Sequence, residues 1–190
     1  MKYLVILIFL ITTSFLYKNE IIIDKDEAQK AFDLLVDIRN NPDKYYKELN
    51  YKKGLKPSSI QLKWNETLAK VAETKAADMA RRNYFGHVDP DGYGINYFIN
   101  KSGYKLVPEW IKERNLNYFE SIAVNYPNGE DAVKMLIIDK NTPSLGHRKH
   151  LLGLDNWNAS LTDIGIGFCR RESGSKYKTY TCIIIAKHEW

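Results

Sequence analysis

Four ionisable side chains in this sequence could act together in binding or catalysis. His87 lies in the stretch YFGHVDPDG and His147 in LGHRKHLL, and the chain of 190 residues has only four histidines. Glu120 in YFESIAV and Asp139 in LIIDK are isolated acids within apolar sequence. A carboxyl group in an apolar setting must find a partner or raise its pKa. Two imidazoles with two carboxylates could hold a divalent metal such as zinc, or exchange protons with a substrate.

Other metal motifs are excluded by the spacing of the residues around these four. The stretch DPDGYG resembles the start of a calcium loop, but Asn100 occupies the position of the bidentate glutamate, which excludes an EF-hand. Pro-Asp-Gly is by itself a turn signal. The chain has no HExxH motif, so a metalloprotease of that type is unsupported. Taken alone, a single histidine is more often a structural residue than a ligand, so the prediction rests on the set of four.

The segment NETLAKVAETKAADMARRN predicts the helix that delivers the chain to His87. Asn65 can cap its first turn, and Glu66 favours the positive end of the helix dipole. Apolar residues then recur at helical spacing and form the buried stripe, namely Leu68, Val71, Ala72, Ala76 and Met79. The small alanines along this stripe allow another layer to pack closely.

Two further amphipathic helices and two C-terminal strands complete the predicted framework. The patterns of DKDEAQKAFDLLVDIRNNP and NGEDAVKMLIIDK predict helices, the second capped by Asn128 and followed by Asp139. DIGIGFCR alternates as a strand, and its glycines suggest that another backbone passes close by. YKTYTCIIIAKHEW is apolar on both faces, which predicts an interior strand. Helices followed by antiparallel strands indicate one α+β layered domain.

The two cysteines predict a disulfide in an extracellular protein. Cys169 and Cys182 flank RRESGSKYKTYT, and a hairpin turn at Ser-Gly-Ser would place them opposite one another on antiparallel strands. The alternative is two buried thiols, since free cysteine packs as a small hydrophobic residue.

The N-terminus and the overall charge indicate where the protein acts. Residues 1–17, MKYLVILIFLITTSFLY, are typical of a secretory signal, with an uncleaved membrane anchor as the alternative. We therefore expect a secreted protein, extracellular or periplasmic. The formal net charge is +5, but acids and lysines are interleaved and form no basic stripe, which argues against a nucleic-acid partner. The composition looks bacterial.

Four short motifs, in this order, resemble those of the CAP superfamily of cysteine-rich secretory, antigen 5 and pathogenesis-related proteins, also called SCP domains. The motifs are YFGHVDPDG, FESIA, GHRKHLL and DIGIGF. The resemblance runs from about Asp33 to Trp190, and it implies a single CAP domain over residues 24–190. It also implies a three-layer α-β-α sandwich with a central antiparallel sheet and a cleft that displays two histidines and two acids.

The resemblance carries the family's cleft residues onto particular positions of this chain. The histidines fall on His87 and His147, which in some family members bind a divalent metal such as zinc. The first acid falls on Glu120. The second falls on Asp139, where aspartate replaces the family's glutamate and is one methylene shorter. His150 lies three residues after His147 and could add a ligand.

A ligand-binding function is the first expectation, and hydrolysis is the alternative. The resemblance implies a secreted module that binds a small molecule, lipid, peptide or glycan, or an extracellular protein, and we expect a monomer. The tyrosines could line the cleft, namely Tyr84, Tyr93, Tyr97 and Tyr118. A metal-assisted or His/Glu-based hydrolase of envelope or host polymers is the alternative, with His87, Glu120 and His147 as candidate catalytic residues. Neither Ser121 nor Ser144 has the sequence context of an activated nucleophile.

Overall fold

The computed structural model describes residues 20–188 as helices packed on a mixed five-stranded sheet. The predicted signal at residues 1–17 lies outside this range. The helices are α1 (Lys25–Asn40), α2 (Pro42–Tyr45), α3 (Glu66–Arg82), α4 (Ile95–Lys101), α5 (Gly129–Ile138), α6 (Gly146–Leu152) and α7 (Asn156–Ala159), with a 3-10 turn at Pro108–Trp110. The strands are β1 (Ile21–Ile23), β2 (Lys63–Trp64), β3 (Glu120–Val124), β4 (Asp163–Arg171) and β5 (Thr179–Ala186).

The sheet has the order β1-β4-β5-β3, and β2 adds a short parallel pair to β4. The strand β5 is therefore interior, as its apolar sequence predicts, and every one of its residues is buried. The strand β3 lies at the edge, which makes it accessible to the loops that carry the candidate site. The strand β1 begins at Ile21, ahead of the predicted domain start at residue 24, and pairs with β4.

Helix α3 packs on one face of β4 and β5 because two glycines let its backbone approach the sheet. A Cβ atom on Gly165 would lie 2.1 Å from the backbone nitrogen of Ala69, and one on Gly167 would lie 2.3 Å from the carbonyl carbon of Ala72. This is the close backbone approach that the glycines of DIGIGF predict.

Helices α1, α5 and α6 pack against one another and form the layer that contacts β3 and β4 on the other face. The predicted caps are present: Asn65 Oδ1 accepts from the Leu68 amide at 3.1 Å, and Asn128 Oδ1 from the Asp131 amide at 2.7 Å. The α+β fold with helical layers on both faces of an antiparallel core sheet agrees with the prediction.

The predicted disulfide is wrong, because the hairpin register does not place the cysteines opposite one another. Cys169 pairs with Tyr180, and Cys182 pairs with Gly167, so the cysteines are offset by two residues on the same face. Both are buried free thiols, which was the alternative interpretation. Burial raises the pKa of Cys169 to about 12.

Candidate functional site

The loop that carries His87 is fixed to helix α3 by a buried lysine. Lys75 is 5% exposed, and its Nζ donates to the carbonyl oxygens of Gly86 at 2.9 Å and His87 at 3.1 Å. The next residues form the predicted turn, in which Asp89 Oδ1 accepts from the backbone amide of Tyr93 at 2.8 Å. Contacts on both sides of His87 in the chain therefore hold its backbone, independently of its side chain.

The side chain of His87 forms a pair with Glu120 from the first position of the edge strand β3. His87 Nδ1 lies 2.8 Å from Glu120 Oε2. The Glu120 side chain is fully buried, whereas that of His87 is 42% exposed. A carboxylate only accepts hydrogen bonds, so Nδ1 is the donor of this bond, and in a neutral imidazole the lone pair is then on Nε2. The pair thus presents one imidazole nitrogen to a ligand.

A second pair of the same kind joins Asp139 and His147. Asp139 ends α5 in the left-handed conformation, at φ 51°, which turns its carboxylate toward the start of α6. Its Oδ1 lies 2.7 Å from His147 Nδ1, and its Oδ2 accepts from the His147 amide at 2.9 Å. The shorter aspartate therefore reaches His147 directly. Burial tends to raise the pKa of Asp139, but hydrogen bonds from His147 and Thr142 hold it below its usual value.

The two pairs flank the edge strand β3 from its opposite faces. Glu120 faces the α3 layer. The next residue, Ser121, points the other way and contacts α6, where its hydroxyl forms a 2.8 Å hydrogen bond with His150 Nδ1. Burial lowers the pKa of His150 to about 4, and the charge of Arg39 acts in the same direction.

His150 and Ser121 are interior residues of this region. His150 is 7% exposed and Ser121 is 1% exposed, so neither presents a polar atom to solvent beside the two pairs. Within residues 20–188, no group of three or more His, Cys, Asp or Glu side chains is arranged to hold a metal ion. The donor set therefore consists of two separate His–carboxylate pairs.

Tyr84 lies beside this site in a groove between α3 and α4. Its hydroxyl donates to Asp78 Oδ2 at 2.9 Å and accepts from Lys75 Nζ at 3.3 Å. The groove has a volume of about 870 Å³, and neither His–carboxylate pair contributes to its walls. Tyr93 and Tyr97 line its far side, with ring centroids 4.4 Å apart. Tyr118 instead lies in a separate pocket of about 360 Å³ with Trp110 and Trp157.

The sequence did not predict that Lys75 and Cys182 support the site. Lys75 follows Val71 by one helical turn, so a charged residue on the buried stripe of α3 was the available signal. The Cys182 thiol donates to Glu120 Oε1 at 3.4 Å. Nothing in the sequence indicated that contact, because it depends on the pairing of two distant strands.

A family model for the cysteine-rich secretory protein family, CAP, matches residues 27–184. The chain belongs to the CAP family. Over 127 residues this CAP domain is 36% identical to the uncharacterized protein YkwD of Bacillus subtilis, covering 65% of the chain and 38% of that protein. The resemblance stated from the four motifs is confirmed.

Two solved structures share the CAP fold with this chain. One is an extracellular protein containing a SCP domain from Bacillus anthracis, with 24% identity, a TM-score of 0.52, and coverage of 86% of this chain and 41% of that one. The other is an outer surface protein from Borrelia burgdorferi, with 17% identity, a TM-score of 0.56, and coverage of 90% of this chain and 99% of that one. The chain spans about two fifths of the length of both Bacillus relatives.

Proposed function

We propose that this CAP domain is a ligand-binding module that acts outside the cytoplasm and uses the two His–carboxylate pairs as its polar contact point. Three features support the location: the signal-like residues 1–17, the extracellular relative from Bacillus anthracis, and the outer surface protein from Borrelia. No helix in the part of the chain that the structure describes is long and apolar enough to cross a bilayer. Its partner is a small molecule, lipid, peptide or glycan, or an extracellular protein, and not a nucleic acid. We propose that it acts as a monomer.

The single observation that carries the proposal is that both histidines bond to a buried carboxylate through Nδ1. Metal-binding histidines in proteins usually donate their second ring nitrogen to a carboxylate in this way, which fixes the tautomer and the ring orientation. The Nε2 atoms of His87 and His147 thus suit a divalent cation such as zinc.

The carboxylates are poorly placed to bind a metal directly, because their oxygens already have donors. Glu120 is engaged by His87 and Cys182, and Asp139 by the ring and the backbone of His147. A cation here would take two protein ligands, fewer than the three usual for catalytic zinc. The other positions would be open to a polar group of the ligand.

The groove along α3 supports a ligand larger than a single polar group. Its volume of about 870 Å³ falls within the range of small-molecule pockets. It lies beside the site, since Lys75 and Tyr84 line the groove and Lys75 also donates to the His87 carbonyl. We propose that aromatic rings such as those of Tyr93 and Tyr97 contact the apolar part of the ligand.

Hydrolysis is the weaker proposal because no suitable nucleophile accompanies the pairs in the described part of the chain. Ser121 bonds to a histidine, but both residues are buried. Cys182 is fully buried, and burial followed by the charge of Glu120 raises its pKa well above the usual value, so it is not a reactive thiolate. A hydrolase would then depend on chemistry supplied by a bound metal.

Calorimetric titration of the purified protein with zinc tests the polar site. We expect binding by the wild type and no detectable binding by His87→Ala or His147→Ala. His188→Ala is the matched control, because His188 stacks on Tyr104 and takes no part in either pair. Zinc binding that survives both substitutions would remove the metal from the proposal. Native mass spectrometry of protein purified from its own host should show a retained small molecule, whose absence would count against the groove.

A further inference from the structure

Glu120 needs a hydrogen-bond donor for each of its two oxygens, because its side chain is fully buried. Oε2 accepts a hydrogen bond from His87 Nδ1 at 2.8 Å. Oε1 accepts a hydrogen bond from the Cys182 thiol at 3.4 Å, a distance within the range for a sulfur donor. A buried carboxylate oxygen without a donor would be costly. The thiol therefore meets a requirement that solvent cannot meet at this position.

The sheet register holds the Cys182 thiol in place. Glu120 pairs with Ile184, and Ile122 pairs with Cys182 across the β3–β5 ladder, so Cys182 is the diagonal neighbour of Glu120 on the same face. Diagonal neighbours lie within reach of each other's side chains. Cys182 is also opposite Gly167, where the backbone of helix α3 closely approaches the sheet. The thiol has little room to turn away from Glu120.

The thiol remains a donor at neutral pH. Burial, and then the negative charge of Glu120, raise the pKa of Cys182 well above the usual value for cysteine. The Cys182 side chain therefore keeps its proton and places no second negative charge beside the carboxylate.

We propose that Cys182 is a positioning residue for His87, acting through Glu120. The proposal rests on the proposed function, in which His87 Nε2 contacts the metal or ligand. With Oε1 held by the thiol, the Glu120 side chain keeps Oε2 directed at His87 Nδ1. Without the thiol, Oε1 has no donor, and we expect the carboxylate to turn toward another one. Oε2 would then leave Nδ1, and the imidazole would lose the acceptor that fixes both its tautomer and its orientation.

Four variants of the full chain separate this role from ordinary packing. Cys182→Ala and Cys182→Val remove the donor, and valine also fills the space, so it serves if the alanine variant does not fold. Cys182→Ser keeps a donor. Cys169→Ala is the matched control, because Cys169 is buried on the same sheet face without contacting Glu120.

The first measurement is the nitrogen chemical shift of the His87 ring by NMR without metal. We expect the Nδ1–H form in the wild type, Cys169→Ala and Cys182→Ser, and a substantial Nε2–H population in Cys182→Ala and Cys182→Val. The second measurement is zinc affinity, which should fall by about tenfold in the variants without a donor, as for other residues that orient metal ligands.

The two measurements fail separately. If the wild type does not bind zinc but the tautomer changes in Cys182→Val, the metal proposal fails and the positioning role stands. If the variants without a donor match Cys169→Ala in both the tautomer and the affinity, the positioning role is overturned. A Cys182→Ser variant that behaves like Cys182→Val would also overturn it, since packing and not the donor would then matter.

Discussion

The carboxylate of Asp139 bonds to both the ring and the backbone amide of His147, at 2.7 Å and 2.9 Å. One side chain therefore fixes the ring of a candidate ligand and also caps the first turn of α6. These two roles are coupled, because the same carboxylate that orients the imidazole also satisfies backbone amides that the helix leaves free.

Asp139→Asn should weaken both roles. The amide keeps the size of the side chain but loses the charge that strengthens the hydrogen bonds, which contribute about 1.5–3 kcal/mol each when charged. We expect a loss of about 2 kcal/mol in the free energy of unfolding in urea, and zinc affinity about tenfold lower. Asp155→Asn, which alters the cap of α7, is the control and should leave zinc affinity unchanged. Equal affinities for the two variants would contradict the orienting role.

The stability of the fold should fall between pH 6.5 and pH 4 because of His150. Its folded pKa of about 4 lies below the usual value of 6.5, so in this window the unfolded chain binds the proton more readily than the folded one. The stability from neutral His150 is complete above pH 6.5 and is lost as the pH falls through this window. A shift of this size corresponds to about 3 kcal/mol.

Urea unfolding at a series of pH values tests the role of His150. His150→Asn should show a flatter pH profile than the wild type over this window, although its stability at pH 7 is lower. If His150→Asn keeps the wild-type slope, another group is responsible for it.

Gly165→Ala should disrupt the packing of α3 on the sheet. The added methyl would meet the backbone of Leu68 and Ala69 at 2.2 Å and 2.1 Å, where no flexible side chain can move aside. We expect a loss of about 3 kcal/mol or more in the free energy of unfolding, or failure to fold. Gly146→Ala is the control, because its methyl would meet only Ser144 Oγ at 3.6 Å. A thermal transition for Gly165→Ala that matches this control would contradict the close approach.

The framework of this fold was predictable because its signals are local. Helix α3 follows from a 3.6-residue apolar period and a cap at Asn65, and the interior position of β5 follows from its continuous apolar run. The glycines of β4 indicated that the backbone of another element approaches the strand closely, although the sequence did not show that this element is α3. Each of these inferences needs only residues that are close in sequence.

Contacts between distant segments were not predictable in the same way. The disulfide prediction failed because the loop at 172–178 does not reveal the register of the hairpin, and a shift of two residues separates the thiols. The contact of Cys182 with Glu120 depends on the β3–β5 pairing, which joins segments 62 residues apart. His150 has the spacing of a further ligand, but its burial against Ser121 emerges only when β3 and α6 meet.

Lys75→Met should loosen the loop that carries His87. Methionine keeps the unbranched stem but cannot donate to the carbonyls of Gly86 and His87, so we expect a loss of about 2 kcal/mol in the free energy of unfolding. Hydrogen exchange at residues 84–94 should become faster. Zinc affinity should also fall, because the backbone that carries the His87 ring is then held less firmly. Lys70→Met is the control on the same helix: Lys70 is exposed and pairs with Glu73, so its loss should change neither quantity. Unchanged exchange in Lys75→Met would show that Asp89 and the turn alone hold the loop.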